Sequence, residues 1–106
     1  MDEKTKYLYE LRAKIIKAAA HPSRLFILDK LKEHEYCVCD LTEMLGFDAS
    51  TISKHLSVLK GAGLVKDEKR GLKVYYSLTK PCILNMMRCI DKSIEENAKK
   101  NLGMIS

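Results

Sequence analysis

The sequence predicts a mainly α domain with one small β-hairpin, arranged as a winged helix-turn-helix. Three observations carry this expectation. Apolar residues recur at helical spacing through five segments of the chain. Between the third and fourth segments lies a short turn, G-F-D, whose Asp48 is a helix-capping residue type. Two strand-like runs then follow, joined by the tip K-R-G-L.

Residues 2–20 predict the first helix, with Leu8, Leu11, Ile15 and Ala18 with Ala19 on one stripe. His21-Pro22-Ser23 breaks it, because proline disfavours helical geometry in the residue before it. Pro22 then opens a second helix at 22–33, with Leu25, Phe26, Leu28 and Leu31 directed inward. A short third helix at 38–45 ends at Gly46. The fourth, at 49–61, places Ile52, Leu56 and Leu59 on one face and Ser50, Lys54 and Ser57 roughly opposite. Strands at 64–67 and 73–78 form the hairpin, with Gly71 supplying its turn. A last helix at 80–101 carries Ile83, Met87, Ile90 and Ile94, with Cys82, Met86 and Cys89 beside them. The expected organisation is one domain, 1–106, with dimerising helices at 1–20 and 80–101, a helix-turn-helix at 38–61 and a wing at 64–78.

Composition narrows the class. The chain has 106 residues, no Trp and few aromatics, so aliphatic side chains must supply one core. Nineteen Lys and Arg against fourteen Asp and Glu leave a net charge of +5, which points to an anionic partner, nucleic acid first. A basic but inert surface is the alternative. No apolar run reaches the ~18 residues of a membrane span, and the charged start M-D-E-K-T-K is unlike a signal peptide. A cytoplasmic location with reduced thiols is therefore expected. In that setting four cysteines suggest metal binding or redox sensing before structural disulfides.

The fourth helix, D-A-S-T-I-S-K-H-L-S-V-L-K, suits the major groove of duplex DNA. Small hydrogen-bonding residues near its N-terminus reach base edges, and cations and hydroxyls reach phosphates. Ser50, Thr51, Ser53 and Lys54 fit that description, while His55 lies nearer the buried edge and either reaches a phosphate or packs. Lys66, Lys69, Arg70 and Lys73 of the hairpin would clamp phosphates, diluted by Asp67 and Glu68. One reading helix covers half a site, so a homodimer is expected, paired through the excess apolar surface of the first and last helices. The alternative is that those two helices pack on each other within one chain.

The runs E-Y-C-V-C-D-L-T-E-M-L-G, S-T-I-S-K-H-L-S-V-L-K-G-A-G-L-V and R-G-L-K-V-Y-Y-S-L, with H-P-S-R-L-F-I-L upstream, resemble the arsenical-resistance repressor (ArsR) family of metalloregulators. The resemblance covers about residues 10–95. It implies a homodimer that represses from an operator overlapping a promoter and is loosened by an inducer, usually a thiophilic or transition metal ion. In arsenite- and cadmium-type members the C-V-C-D-L segment supplies thiolates, here Cys37 and Cys39. Arsenite-type members carry a third cysteine where this chain has Thr42, and cadmium-type members use an N-terminal arm that is cysteine-free here. The nickel- and zinc-type site on the last helix is not expected, since no histidine follows His55.

Thiolates suit soft ions such as arsenite, cadmium or zinc. Residues i and i+2 lie about 200° apart on a regular helix, so Cys37 and Cys39 can share an ion only if Cys37 is still extended. Completion by Cys82 or Cys89 of either protomer, or by His34, stays open. So does packing in the dimer interface as the whole role of Cys82 and Cys89. The alternative is a redox or persulfide sensor, with a direct Cys37–Cys39 bridge disfavoured as a tight ring. No organic cofactor is expected. Neither is an enzyme, because C-x-x-C redox spacing is absent.

Overall fold

The computed structural model describes residues 1–105. Five helices and a three-stranded sheet follow in the order α1 (Glu3–Ala19), α2 (Pro22–Leu31), β1 (Tyr36–Cys37), α3 (Val38–Leu45), α4 (Ala49–Gly61), β2 (Val65–Arg70), β3 (Lys73–Leu78) and α5 (Ile83–Ile105). The winged helix-turn-helix expected from the pattern is present. Its helix starts follow local rules. Asp2 caps α1 by accepting the Thr5 N–H at 2.7 Å, Pro22 opens α2, and Asp48 caps α4 by accepting the Thr51 N–H at 2.8 Å. Gly46 ends α3 at φ +73°, a left-handed residue that glycine adopts without steric cost.

The core gathers Ala18 and Ala19 of α1, Ile27, Leu28 and Leu31 of α2, Leu41 of α3, and Ile52, Leu56 and Leu59 of α4. Leu64, Val65 and Ile83 close it. The α4 stripe is buried as its spacing required. In α2, however, Ile27 turns inward while Phe26 is 38% exposed, so the expected inward set was shifted there. The Lys30 ammonium lies 5.6 Å from the Phe26 ring, holding that side chain along the helix surface.

The sheet runs β1-β3-β2, all antiparallel. β1 was not anticipated: two residues are too few to show a period-two pattern, and it exists only because Tyr36 and Cys37 pair with Tyr76 and Tyr75. β2 reaches Arg70 rather than residue 67. Its run K-D-E-K-R has no apolar alternation, so register with β3 alone reveals it. The pairing Arg70 with Lys73 leaves Gly71 and Leu72 as a two-residue turn, Gly71 at φ +63° and Leu72 fully exposed. α5 starts at Ile83 rather than residue 80. Pro81 and its neighbours form a tighter turn first, with N–H groups of Ile83, Leu84 and Asn85 each bonding three residues back.

α1 and α5 do not cover each other. Leu8 (45%), Leu11 (40%), Ile15 (39%), Ile90 (46%) and Ile94 (61%) all stay substantially exposed in the single chain. The intrachain alternative for these stripes therefore does not satisfy them.

Leu41 and Ile52 are fully buried where α3 meets α4. Leu41→Ala is expected to lower the unfolding free energy by about 2–5 kcal/mol, with an unchanged denaturant slope in urea titration.

Candidate nucleic-acid interface and thiol site

Burial of Ile52, Leu56 and Leu59 turns the other face of α4 to solvent, leaving Ser50, Ser53 and Lys54 exposed and Thr51 half-buried. The Ser50 hydroxyl donates to the Asp48 carboxylate at 3.2 Å, so Asp48 organises the first turn twice over. Hydrogen bonds from the Thr51 hydroxyl and N–H, then from Ser50, hold the Asp48 carboxyl below its ordinary value, with the nearby Lys54 charge adding to the effect. His55 packs rather than projects. It is half-buried, and its Nδ1 accepts the Arg24 Nε–H at 3.1 Å.

The wing cations divide between two faces of the hairpin. Lys66 and Arg70 share one face of β2 with Lys73 opposite Arg70, whereas Lys69 shares the other face with Asp67. Among the described residues Lys54, Lys66, Lys69 and Lys73 make no ion pair. Arg70 is committed differently. Its guanidinium pairs with Glu35 and with Glu68 at 2.8 Å while stacking 4.8 Å over Tyr75. That tether joins the wing to the residue just before β1, and it holds the Glu35 carboxyl low. Asp67 is also occupied, by Lys60 of α4 at 2.9 Å, so much of the acidic dilution in the wing is neutralised.

The thiol segment lies where β1 becomes α3. Cys37 is at once the end of the strand and the helix N-cap, extended at φ −78°, ψ 163°. Its Sγ accepts the Asp40 N–H at 3.2 Å, and the Asp40 carboxylate accepts the Cys37 N–H at 3.2 Å, a reciprocal capping box. Cys39 stands in the first turn. This brings the two Cα atoms to 5.2 Å, and Cys37 and Cys39 are joined as a disulfide. The direct bridge was disfavoured on ring size. It forms because an extended residue followed by a helical turn sets a spacing inside the usual disulfide range of about 4.4–6.8 Å.

Cys37, Cys39 and Asp40 place their ligand atoms within 4.8 Å of one another, and among the described residues they form the single such group of three or more. Asp40 was missed by sequence reasoning, although its signal was visible: an acidic residue three after the N-cap is the capping-box spacing. His34, Cys82 and Cys89 do not join the group within one chain. His34 is exposed, its ring 4.1 Å from that of Tyr36, and both other thiols are free and exposed in the single chain. Thr42, at the family's third cysteine position, donates its hydroxyl back to the Val38 carbonyl at 2.8 Å. Cys37, Cys39 and Thr42 line a cavity of about 420 Å³ with Ala49 at the start of α4 and Leu72, Lys73 and Val74 of the wing.

A helix-turn-helix with the polar face of its second helix open and a basic antiparallel wing beside it defines a DNA-binding transcriptional regulator of the winged-helix class. The chain belongs to the arsR family of bacterial regulatory proteins, whose profile matches residues 21–67. It is similar to a transcriptional repressor SmtB homologue of Synechocystis, 35% identical over 80% of this chain and 64% of that one. The regulator NmtR of Mycobacterium tuberculosis is 34% identical over 87% of this chain and 74% of its own length. A cadmium resistance regulatory protein, the CadC homologue of Staphylococcus aureus, is 42% identical over 62% and 55%. Among solved structures, the homodimeric winged helix-turn-helix domain of Mb0332 from Mycobacterium bovis superposes with a TM-score of 0.80 at 26% identity, covering 94% of this chain and 93% of that one. Reduced HlyU from Vibrio cholerae gives 0.73 at 27% identity, covering 86% and 96%.

The lowered Asp48 pKa has a sign that can be checked. A carboxylate held low in the folded state adds stability above its ordinary 3.8, and that stability is lost as pH falls through the lowered value. Asp48→Asn, which keeps a capping oxygen, is expected to flatten this part of the thermal-melt profile between pH 5 and 2 or so, without loss at neutral pH.

Proposed function

We propose that the chain is a homodimeric repressor that binds operator DNA and is released by a thiophilic metal or metalloid at Cys37 and Cys39. The observation that carries this reading is the clustering of two sulfurs and the Asp40 carboxylate at the N-cap of α3, the first helix of the helix-turn-helix. Once reduced, Cys37 and Cys39 offer thiolates to soft ions, with arsenite, cadmium and zinc as the candidates. A helix N-terminus favours the thiolate form. The relative named for cadmium resistance supports the same ligand class. Cys82, Cys89 or His34 would have to reach the group from a partner protomer to complete it.

The mechanism follows from the double duty of Cys37. Its sulfur caps α3 and Asp40 caps it in return, so an ion held by both would pull on the two groups that accept the Asp40 and Cys37 N–H bonds and strain the start of the helix. The cavity beside the thiols is walled by the start of α4 and by the wing, so displacement there moves both DNA-facing elements together. In this reading α4 enters the major groove through Ser50, Thr51, Ser53 and Lys54, with Lys66, Lys69 and Lys73 on phosphates. Arg70 serves there once freed from Glu35. The exposed stripes of α1 and α5 pair across the dimer, as the homodimeric neighbour supports.

A second reading is favoured by the disulfide itself. The Cys37–Cys39 bridge makes the same segment a thiol switch responding to oxidants or persulfides. One experiment separates the two. The reduced protein, bound to a duplex selected by it from a randomised pool, is titrated with arsenite, cadmium or zinc, following thiolate-to-metal absorbance and DNA release together. Under the metal reading, release tracks binding, and Cys37→Ser and Cys39→Ser abolish both. Release by mild oxidation or persulfide, with no response to any of the ions, overturns the metal reading and supports the switch. Independently, Lys54→Ala is expected to weaken DNA binding and make its salt dependence shallower by about one phosphate contact, with an unchanged melting temperature.

A further inference from the structure

His21, Arg24 and His55 form a cluster where α1, α2 and α4 meet, separate from the thiol segment. His21 is the N-cap of α2, its Nδ1 accepting the Ser23 N–H at 3.1 Å. Arg24 donates from Nε to His55 Nδ1 at 3.1 Å and from Nη1 to the Ala18 carbonyl, at the end of α1, at 3.3 Å. The two imidazoles lie against each other, ring centroids 4.5 Å apart. Both Nδ1 atoms accept, so each neutral ring carries its proton on Nε2.

We propose that this cluster is a proton-sensitive latch that positions α4 on the α1–α2 junction, so that acidification weakens DNA binding. The proposal rests on the reading of α4 as the DNA-facing helix. A proton on His55 Nδ1 sets N–H against the Arg24 N–H, and a proton on His21 Nδ1 sets N–H against the Ser23 N–H. Each event replaces a hydrogen bond by two opposed donors. It also places a positive ring beside the Arg24 guanidinium and the second imidazole. The remaining charged groups nearby come from α1, whose Lys14, Lys17 and Glu10 line the groove that Arg24 edges. Burial first, then His21 and Arg24, hold His55 below its ordinary 6.5. A histidine held low in the folded state adds stability above its ordinary pKa and loses it as pH falls through the lowered value. Arg24 also disfavours a cation as occupant of the imidazole pair, since its guanidinium already fills the His55 Nδ1 lone pair. Because Arg24 also holds the end of α1, the latch ties the reading helix to one of the two uncovered helices.

The test is the affinity of the reduced protein for the selected duplex from about pH 7.5 to about pH 5.5, the window in which histidine changes charge. Wild type should weaken roughly tenfold, within the usual range of coupling between two sites. His55→Gln keeps an acceptor that does not titrate, and it should bind as wild type does at high pH and hold that affinity on acidification. His21→Asn provides the same comparison if His55→Gln does not fold. Imidazole titration by NMR, without DNA, should place the His55 ring below the usual histidine range. A folded His55→Gln that keeps the wild-type pH dependence, or a His55 imidazole that titrates at its ordinary value, would overturn the latch. Wild-type affinity in Lys54→Ala at every pH would instead reject the reading of α4, leaving the imidazole titration to judge the latch alone.

Discussion

Complete burial of Ile52, Leu56 and Leu59 is the constraint on which the surface proposed to face DNA depends. Three aliphatic side chains at positions one turn apart leave α4 a single rotational setting, because turning it would trade buried apolar area for exposed polar groups. That setting alone puts the hydroxyls and Lys54 outward. Leu41 of α3 and Leu28 of α2 fill the same core, so the angle between the two helices of the helix-turn-helix is fixed by packing rather than by the turn. Asp48 and Gly46 then determine only where each helix ends.

Polar contacts attach the moving parts to that rigid centre. Lys60 reaches from α4 to Asp67 in the wing, Arg70 reaches from the wing to Glu35, and Cys37 follows two residues later as the cap of α3. These contacts run in one line from α4 through the wing to the thiols. Exposed ion pairs of this kind contribute little stability singly. Their use is geometric: they set the wing's position while leaving it easy to shift, which suits the proposed release of DNA.

Most helices were legible in the sequence because burial and helical period coincide, as in α4, where the buried set matches the spacing. Failures occurred where tertiary pairing decides. β1 exists through Tyr75 and Tyr76, and β2 runs through charged residues whose strand character comes from register alone. Phe26 and Ile27 show the limit of a stripe in a short helix with apolar residues on several sides. At the candidate site, the extended Cys37 followed by a helical Cys39 was inferred as the geometry that brings the thiols together, and the structure has it. The direct bridge depends on backbone torsions at one residue, which no spacing rule encodes, whereas the approach of Asp40 follows the capping-box spacing. The Arg24–His55 contact spans thirty-one positions and was invisible for the same reason.

The uncovered stripes of α1 and α5 bear on folding as well as on assembly. A 17-residue helix that buries only Ala18 and Ala19 has little tertiary packing of its own, and helical stability in proteins comes chiefly from such packing. If the two stripes pair as proposed, much of the apolar burial that orders these helices arrives with the second chain. Folding and pairing then become one equilibrium, and a melting temperature carries meaning only alongside the protein concentration at which it was taken. In a cell the abundance of the protein would set how much of it is competent to bind DNA, before any inducer acts.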